Sequence, residues 1–182
     1  MHFRLWMIVI CFIGTFSTVM AAETRHEGIG FSIPLITKDP EYLHAYRASV
    51  WLQPASLIFK HSRIYFDASL GHWWVTNDTH HHSLNIYALS PIFRYYFRPY
   101  HSFAPFVEVG IGPSYMTRSR LDHQNLGMHF AFQDQLGVGA NLGSRRQFSF
   151  ILSALHYSNA SLCSKNAGIT VPIMLNLEYG FA

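Results

Sequence analysis

Apolar residues in this chain recur at every second position, in one segment after another. Ile173, Leu175, Leu177, Tyr179 and Phe181 share one parity, opposed by Met174, Asn176, Glu178 and Gly180. Tyr46, Ala48, Val50 and Leu52 alternate with Arg47, Ser49, Trp51 and Gln53, and Val107, Val109 and Ile111 with Glu108, Gly110 and Gly112. A strand sends successive side chains to opposite faces, so each segment has one apolar face and one polar or small face. The chain carries 15 Phe, 10 Tyr and 4 Trp with only 13% charged residues. Beyond the first 21 residues it still lacks an apolar run long enough for a membrane helix. Apolar alternation without such a run is the pattern of a transmembrane β-barrel.

Strands are expected over residues 27–37, 44–55, 63–74, 83–97, 102–116, 128–142, 147–158 and 170–182. The fold class is therefore all-β, an eight-stranded antiparallel transmembrane β-barrel, with residues 22–182 as its one domain. An even-stranded barrel keeps both termini on the periplasmic side, with short turns there and longer loops outside. Turns near 56–62, 98–101 and 143–146 then lie in the periplasm, and loops near 38–43, 75–82, 117–127 and 159–169 lie outside.

Residues 1–21 read as a signal peptide: His2 and Arg4 start it, Leu5 to Met20 is largely apolar, and small residues around Ala21 offer a cleavage site. The expected location is the bacterial outer membrane. Removal of that segment leaves twelve Lys and Arg against ten acids, too mild a balance for nucleic-acid binding. Cys163 is then the sole cysteine, so an intramolecular disulfide is excluded. His80, His81 and His82 stand side by side on an expected loop and would make a loose metal site, so metal is not expected. Trp73-Trp74 and Tyr95-Tyr96-Phe97 read as interfacial girdle.

Chemistry concentrates in one stretch, Phe148 to Asn166. Phe148, Phe150, Leu152, Ala154, His156 and Ser158 share a parity, which puts a histidine and a serine at the external end of an apolar stripe. Imidazole as base beside a hydroxyl as nucleophile is the core of a hydrolytic site. On an outward, apolar face such a pair meets lipid rather than water. Around the 143–146 turn, pairing Leu142 with Phe148 sets Asp134 directly opposite His156. Asp134 shares the parity of Phe130, Phe132, Leu136 and Val138, and a carboxylate at membrane depth is a functional candidate by default.

His156-Tyr157-Ser158-Asn159-Ala160 with Asn166 and Gly168, and the preceding string from Phe130 to Gly139, resemble the signature of the outer-membrane lipid A 3-O-deacylases. Pro91 and Arg94 also resemble family positions, and Arg94 is expected in an interior polar network. The resemblance implies hydrolysis of the ester-linked acyl chain at position 3 of lipid A, with lipid A or lipopolysaccharide as partner and no cofactor. A homodimer remains open. It implies His156 as base and Ser158 as nucleophile, with Asn159, Ala160, Asn166 and Gly168 supplying the oxyanion site or shaping it. One position departs from the pattern. Where the family places its acidic triad member this chain has Thr170, which cannot carry a charge. Three readings follow: Asp134 supplies the charge, Ser158 and His156 work as a dyad, or activity is lost. The first is favoured here. The rivals are a catalytically impaired or non-enzymatic small barrel, structural or adhesive, and an acyltransferase with a donor pocket inside the barrel.

Overall fold

The computed structural model describes residues 26–76 and 81–181. The targeting segment expected over 1–21, and Asn77 to His80 of the histidine-rich loop, lie outside the described residues. Eight long strands, one short hairpin and a single 3-10 turn at Ala55–Leu57 make up the described fold: β1 Glu27–Ile36, β2 Leu43–Leu52, β3 Ser62–Val75, β4 Ser83–Tyr96, β5 Phe103–Met116, β6 Arg120–Leu121, β7 Gln124–Asn125, β8 Phe130–Leu142, β9 Phe148–Ser158 and β10 Ile169–Gly180. The long strands close in the order β1-β10-β9-β8-β5-β4-β3-β2, and every neighbouring pair is antiparallel. Closure is achieved within one chain by β1 meeting β10, with Gly28 opposite Gly180 and Phe31 opposite Leu177.

The pleat follows the expected parity. On β9 Phe148, Phe150, Leu152 and Ala154 are exposed while Ser149, Ile151, Ser153 and Leu155 are buried. On β5 Val109 and Ile111 face out, and Glu108, Gly110 and Gly112 face in. The resulting outer belt of Ile, Leu, Val and Phe has no partner within the protein; hydrocarbon is the solvent in which such a surface is stable.

The interior is filled in two layers. Towards the periplasmic end, Arg94 donates to Glu108 (2.9 Å), Glu178 (3.0 Å) and the Tyr65 hydroxyl (2.8 Å), and Tyr65 donates to Glu108 (3.1 Å). Arg47 pairs with Asp67 beside it. The interior polar role expected for Arg94 is the observed one. Towards the external end the filling turns apolar, with Leu43, Trp73, Leu84, Ile86, Met116, Leu121, Leu126, Leu155, Ile169 and Met174 in one buried cluster.

Two expectations change. Adjacent strand residues cannot share a face, so of the Trp73-Trp74 pair only Trp74 lies outside, stacked between His44 and His72. Trp73 is fully buried and meets Tyr157 edge-on at 5.6 Å, a core residue rather than girdle. Likewise Tyr95 and Phe97 are exposed, but Tyr96 packs on Phe106. The external loop near 117–127 contains the β6–β7 hairpin, whose segment sends Leu121 and Leu126, both fully buried, into the end of the barrel.

Arg94 bridges two interior carboxylates at once, and removing one partner of a buried ionic group leaves uncompensated charge. Arg94→Ala should therefore destabilise the barrel by about 3–5 kcal/mol. The urea midpoint of the detergent- or vesicle-folded protein measures this. The triple change Arg94→Met, Glu108→Gln, Glu178→Gln should recover most of the loss.

Candidate active site

His156 and Ser158 come at the external end of β9, on its outward face, both half-exposed. Residues two apart on a strand are separated by about 6.5–7 Å along it, so their side chains must lean together to touch. The Ser158 hydroxyl makes no hydrogen bond to the His156 ring among the described residues. Across from Ser158 stands Phe132, whose ring meets Phe130 edge-on at 5.1 Å. Leu136 lies opposite Ala154 and Val138 opposite Leu152, so an exposed apolar strip leads from the pair towards the periplasmic end.

The expected turn register is the observed one: Leu142 opposes Phe148 and Asp134 opposes His156. The contact expected from it is not made. Asp134 forms no hydrogen bond or ion pair with the imidazole, whose Nδ1 instead lies 3.0 Å from Thr170 Oγ1 on the other neighbouring strand. His156 sits between the two, paired laterally with both, and its ring turns towards β10.

Thr170 reaches that side of the wall because β10 is irregular. Unbroken alternation from Ile173 through Phe181 would turn position 170 into the barrel. The register with β9 shifts between Val171 and Met174, with Val171 opposite Leu155 but Met174 opposite Ser153. A bulge of one residue inverts the facing of everything beyond it. Pro172 lies within it, and a proline inside a strand is the one sequence signal that marked the place.

Gly168 approaches the imidazole more closely than a side chain would permit. Its φ is +74°, and a Cβ there would come 2.9 Å from His156 Cε1. Ala160 and Ser161 also lie in the left-handed region, at φ 51° and 65°. They start the loop that leads from β9 to β10.

That loop is tied down by one buried amide. Asn159 is fully buried, and its Nδ2 donates to the carbonyls of Leu126 (2.6 Å) and Lys165 (2.7 Å). Its Oδ1 accepts from the Ser161 amide (2.9 Å), and its own amide donates to Asn166 Oδ1 (2.8 Å). Both Nδ2 hydrogens are thus committed to carbonyls. Of the two roles expected for Asn159, oxyanion donor or loop-shaping residue, these bonds serve the second. Asn166 Nδ2 has no partner among the described residues. The hairpin completes the clamp, since the Ala167 amide donates to Asn125 O (3.2 Å). With its amide nitrogen turned towards them, Gln124 donates to the Ala167 and Gly168 carbonyls (3.2 Å each). Gln124, Asn125 and Leu126 carry no sequence signal of this role, because a two-residue strand leaves no periodicity to detect. Cys163 packs close to Gly127, where a Cβ would come within 2.6 Å of the sulfur.

A protein-family model described as lipid A 3-O-deacylase (PagL) matches residues 41–180. The lipid A deacylase PagL of Pseudomonas aeruginosa is 35% identical over 106 residues, 58% of this chain and 58% of that protein. The matched stretch therefore spans less than two thirds of that relative's length. A crystal structure of the outer membrane enzyme PagL superposes with a TM-score of 0.71 at 25% identity, covering 85% of this chain and 99% of that one.

Loss of the Asn159 amide would strand the Leu126 and Lys165 carbonyls without disturbing a single strand pair. Asn159→Ala should cost about 1–3 kcal/mol, the range for leaving buried polar groups unsatisfied, all of it in local opening of the loop. Trypsin should then cut after Lys165 in folded, heat-modifiable protein, while wild type resists.

Proposed function

The chain belongs to the lipid A 3-O-deacylase (PagL) family, and from that premise we propose that it hydrolyses the ester-linked acyl chain at position 3 of lipid A in the outer leaflet of the outer membrane. The observation that carries this reading is the outward facing of His156 and Ser158 above an apolar strip, with the Gly168 backbone close against the imidazole. A substrate whose acyl chains already lie in the membrane needs no lumen to enter. The filled interior argues in the same direction, against an acyltransferase that needs an internal donor pocket.

In this mechanism Ser158 Oγ attacks the ester carbonyl as its proton passes to His156 Nε2. The tetrahedral oxyanion takes hydrogen bonds from Asn166 Nδ2 and from the backbone amides near Ala160 and Gly168, donors of the kind that stabilise developing charge. Collapse breaks the ester C–O bond, and imidazolium returns the proton to the departing sugar oxygen. Water, deprotonated by His156, then attacks the acyl-serine, releasing the fatty acid and restoring the hydroxyl. Nε2 can act as base only if the ring proton is on Nδ1, and Thr170 Oγ1, 3.0 Å from Nδ1, is able to accept a hydrogen bond from that proton. Thr170 thus orients the ring, and Asp134 lends its charge from the other side without contact.

The rival is an impaired or non-enzymatic barrel, favoured by a threonine on Nδ1 and by the unmade Ser158–His156 bond. Hydroxyl-to-imidazole bonds are often long before substrate binds. Mass spectrometry of lipid A from cells expressing the protein separates the two. Wild type should remove one acyl ester at position 3, and Ser158→Ala or His156→Ala should abolish this in barrels that still fold. Intact lipid A beside folded wild type in the membrane would sink the esterase reading. Thr170→Glu should raise turnover by about tenfold or more, since a carboxylate on Nδ1 stabilises the imidazolium that forms.

A further inference from the structure

Thr170 has a neighbour on its other side. Beyond β1 the chain rejoins β10 through an isolated antiparallel bridge between Asp39 and Thr170. The Thr170 amide donates to Asp39 O (2.8 Å), and the Asp39 amide donates back to Thr170 O (3.3 Å). Two residues that exchange both backbone bonds are a directly opposed pair, and their side chains leave the sheet on the same face. That face is the one on which Thr170 Oγ1 meets His156 Nδ1. Asp134, His156, Thr170 and Asp39 therefore stand in one lateral row across β8, β9, β10 and the segment after β1.

A hydroxyl has one proton to donate and two lone pairs to accept with. While Thr170 Oγ1 accepts from His156 Nδ1–H, its own proton is directed away from the ring. Opposed Cβ atoms in a pair of this type lie about 5.5 Å apart, a gap that Asp39 narrows by turning about its own side-chain bonds while Thr170 Oγ1 stays on the imidazole. The Asp39 side chain is half-exposed and has no hydrogen bond or ion pair among the described residues, so nothing holds it elsewhere.

We propose that Asp39 is a positioning residue of the hydrolytic site: its carboxylate accepts the Thr170 hydroxyl proton, and through that hydroxyl orients His156 and stabilises its imidazolium. No proton changes owner between Asp39 and Thr170. The threonine relays polarity, and the charge it cannot carry stands one strand further round. The inference rests on the esterase reading above. The groups facing His156 are Ser158 on its own strand, Asp134 from β8, Thr170 and the Gly168 backbone from the β10 side, with Asp39 behind Thr170.

The test is steady-state deacylation of lipid A in mixed micelles by the refolded barrel. Asp39→Asn keeps the shape and the backbone bridge. It should lower kcat by about tenfold to a hundredfold, the order by which loss of an outer partner acts at metal-ligating side chains, with KM little changed. An anion near the imidazolium raises the pH at which the base loses its proton. Its removal should therefore move the acid limb of kcat/KM to lower pH, which a purely structural role would not do. Thr170→Val should reproduce both effects, Thr170→Ser should spare activity, and Asp39→Asn should add little once Thr170→Val is present. Thr170→Val tests the relay from its other end if Asp39→Asn impairs folding. Full activity of Asp39→Asn with an unmoved acid limb overturns the relay alone, as does an equal loss in both backgrounds. Inactive wild-type enzyme overturns the esterase reading and the relay with it.

Discussion

Inside hydrocarbon a backbone amide has nowhere to find a hydrogen bond except within the protein, and a sheet meets that demand only by closing on itself. The pairing of β1 with β10 is the closure, and everything else in the molecule inherits its geometry. Once the ring is closed, each residue faces either lipid or lumen, and the pleat leaves it no third choice. The apolar belt follows, and so does the need to fill an interior too narrow to hold much water.

The filling divides by chemistry. A cation flanked by two carboxylates and a phenol occupies one layer, and aliphatic and aromatic side chains the other. Rigid walls result, and the site is built on one of them rather than between them. That arrangement has a cost: strand periodicity spaces same-face residues too widely for a serine and a histidine to touch without leaning. The loop after β9 supplies what the strand cannot, bringing the Gly168 backbone against the imidazole and tying Asn166 Oδ1 to the Asn159 amide next to Ser158. Asn159 and the β6–β7 hairpin hold the loop there.

The bulge in β10 is the second device. Without it Thr170 would point into the barrel, His156 Nδ1 would have only Asp134 to turn to, and the bridge to Asp39 would join residues facing inward. A one-residue register shift thus chooses which side of the histidine receives its orienting partner.

By itself the sequence determined the architecture and the outward facing of His156 and Ser158. Parity is strictly local: Phe148 to Ser158 carry their facing in their own alternation, and a four-residue turn was enough to set Asp134 opposite His156. In a run such as Trp73-Trp74 the two neighbours take different roles, because the pleat sends them to opposite faces. What the tertiary structure alone decided are the relations between segments far apart in the chain. Asn159 binding Leu126, Gln124 reaching Gly168, and Thr170 turning to His156 while bridging Asp39 each depend on how loops meet at the barrel's end. No periodicity encodes such meetings, because hydrogen bonds between loops are set by where the closed sheet holds their ends.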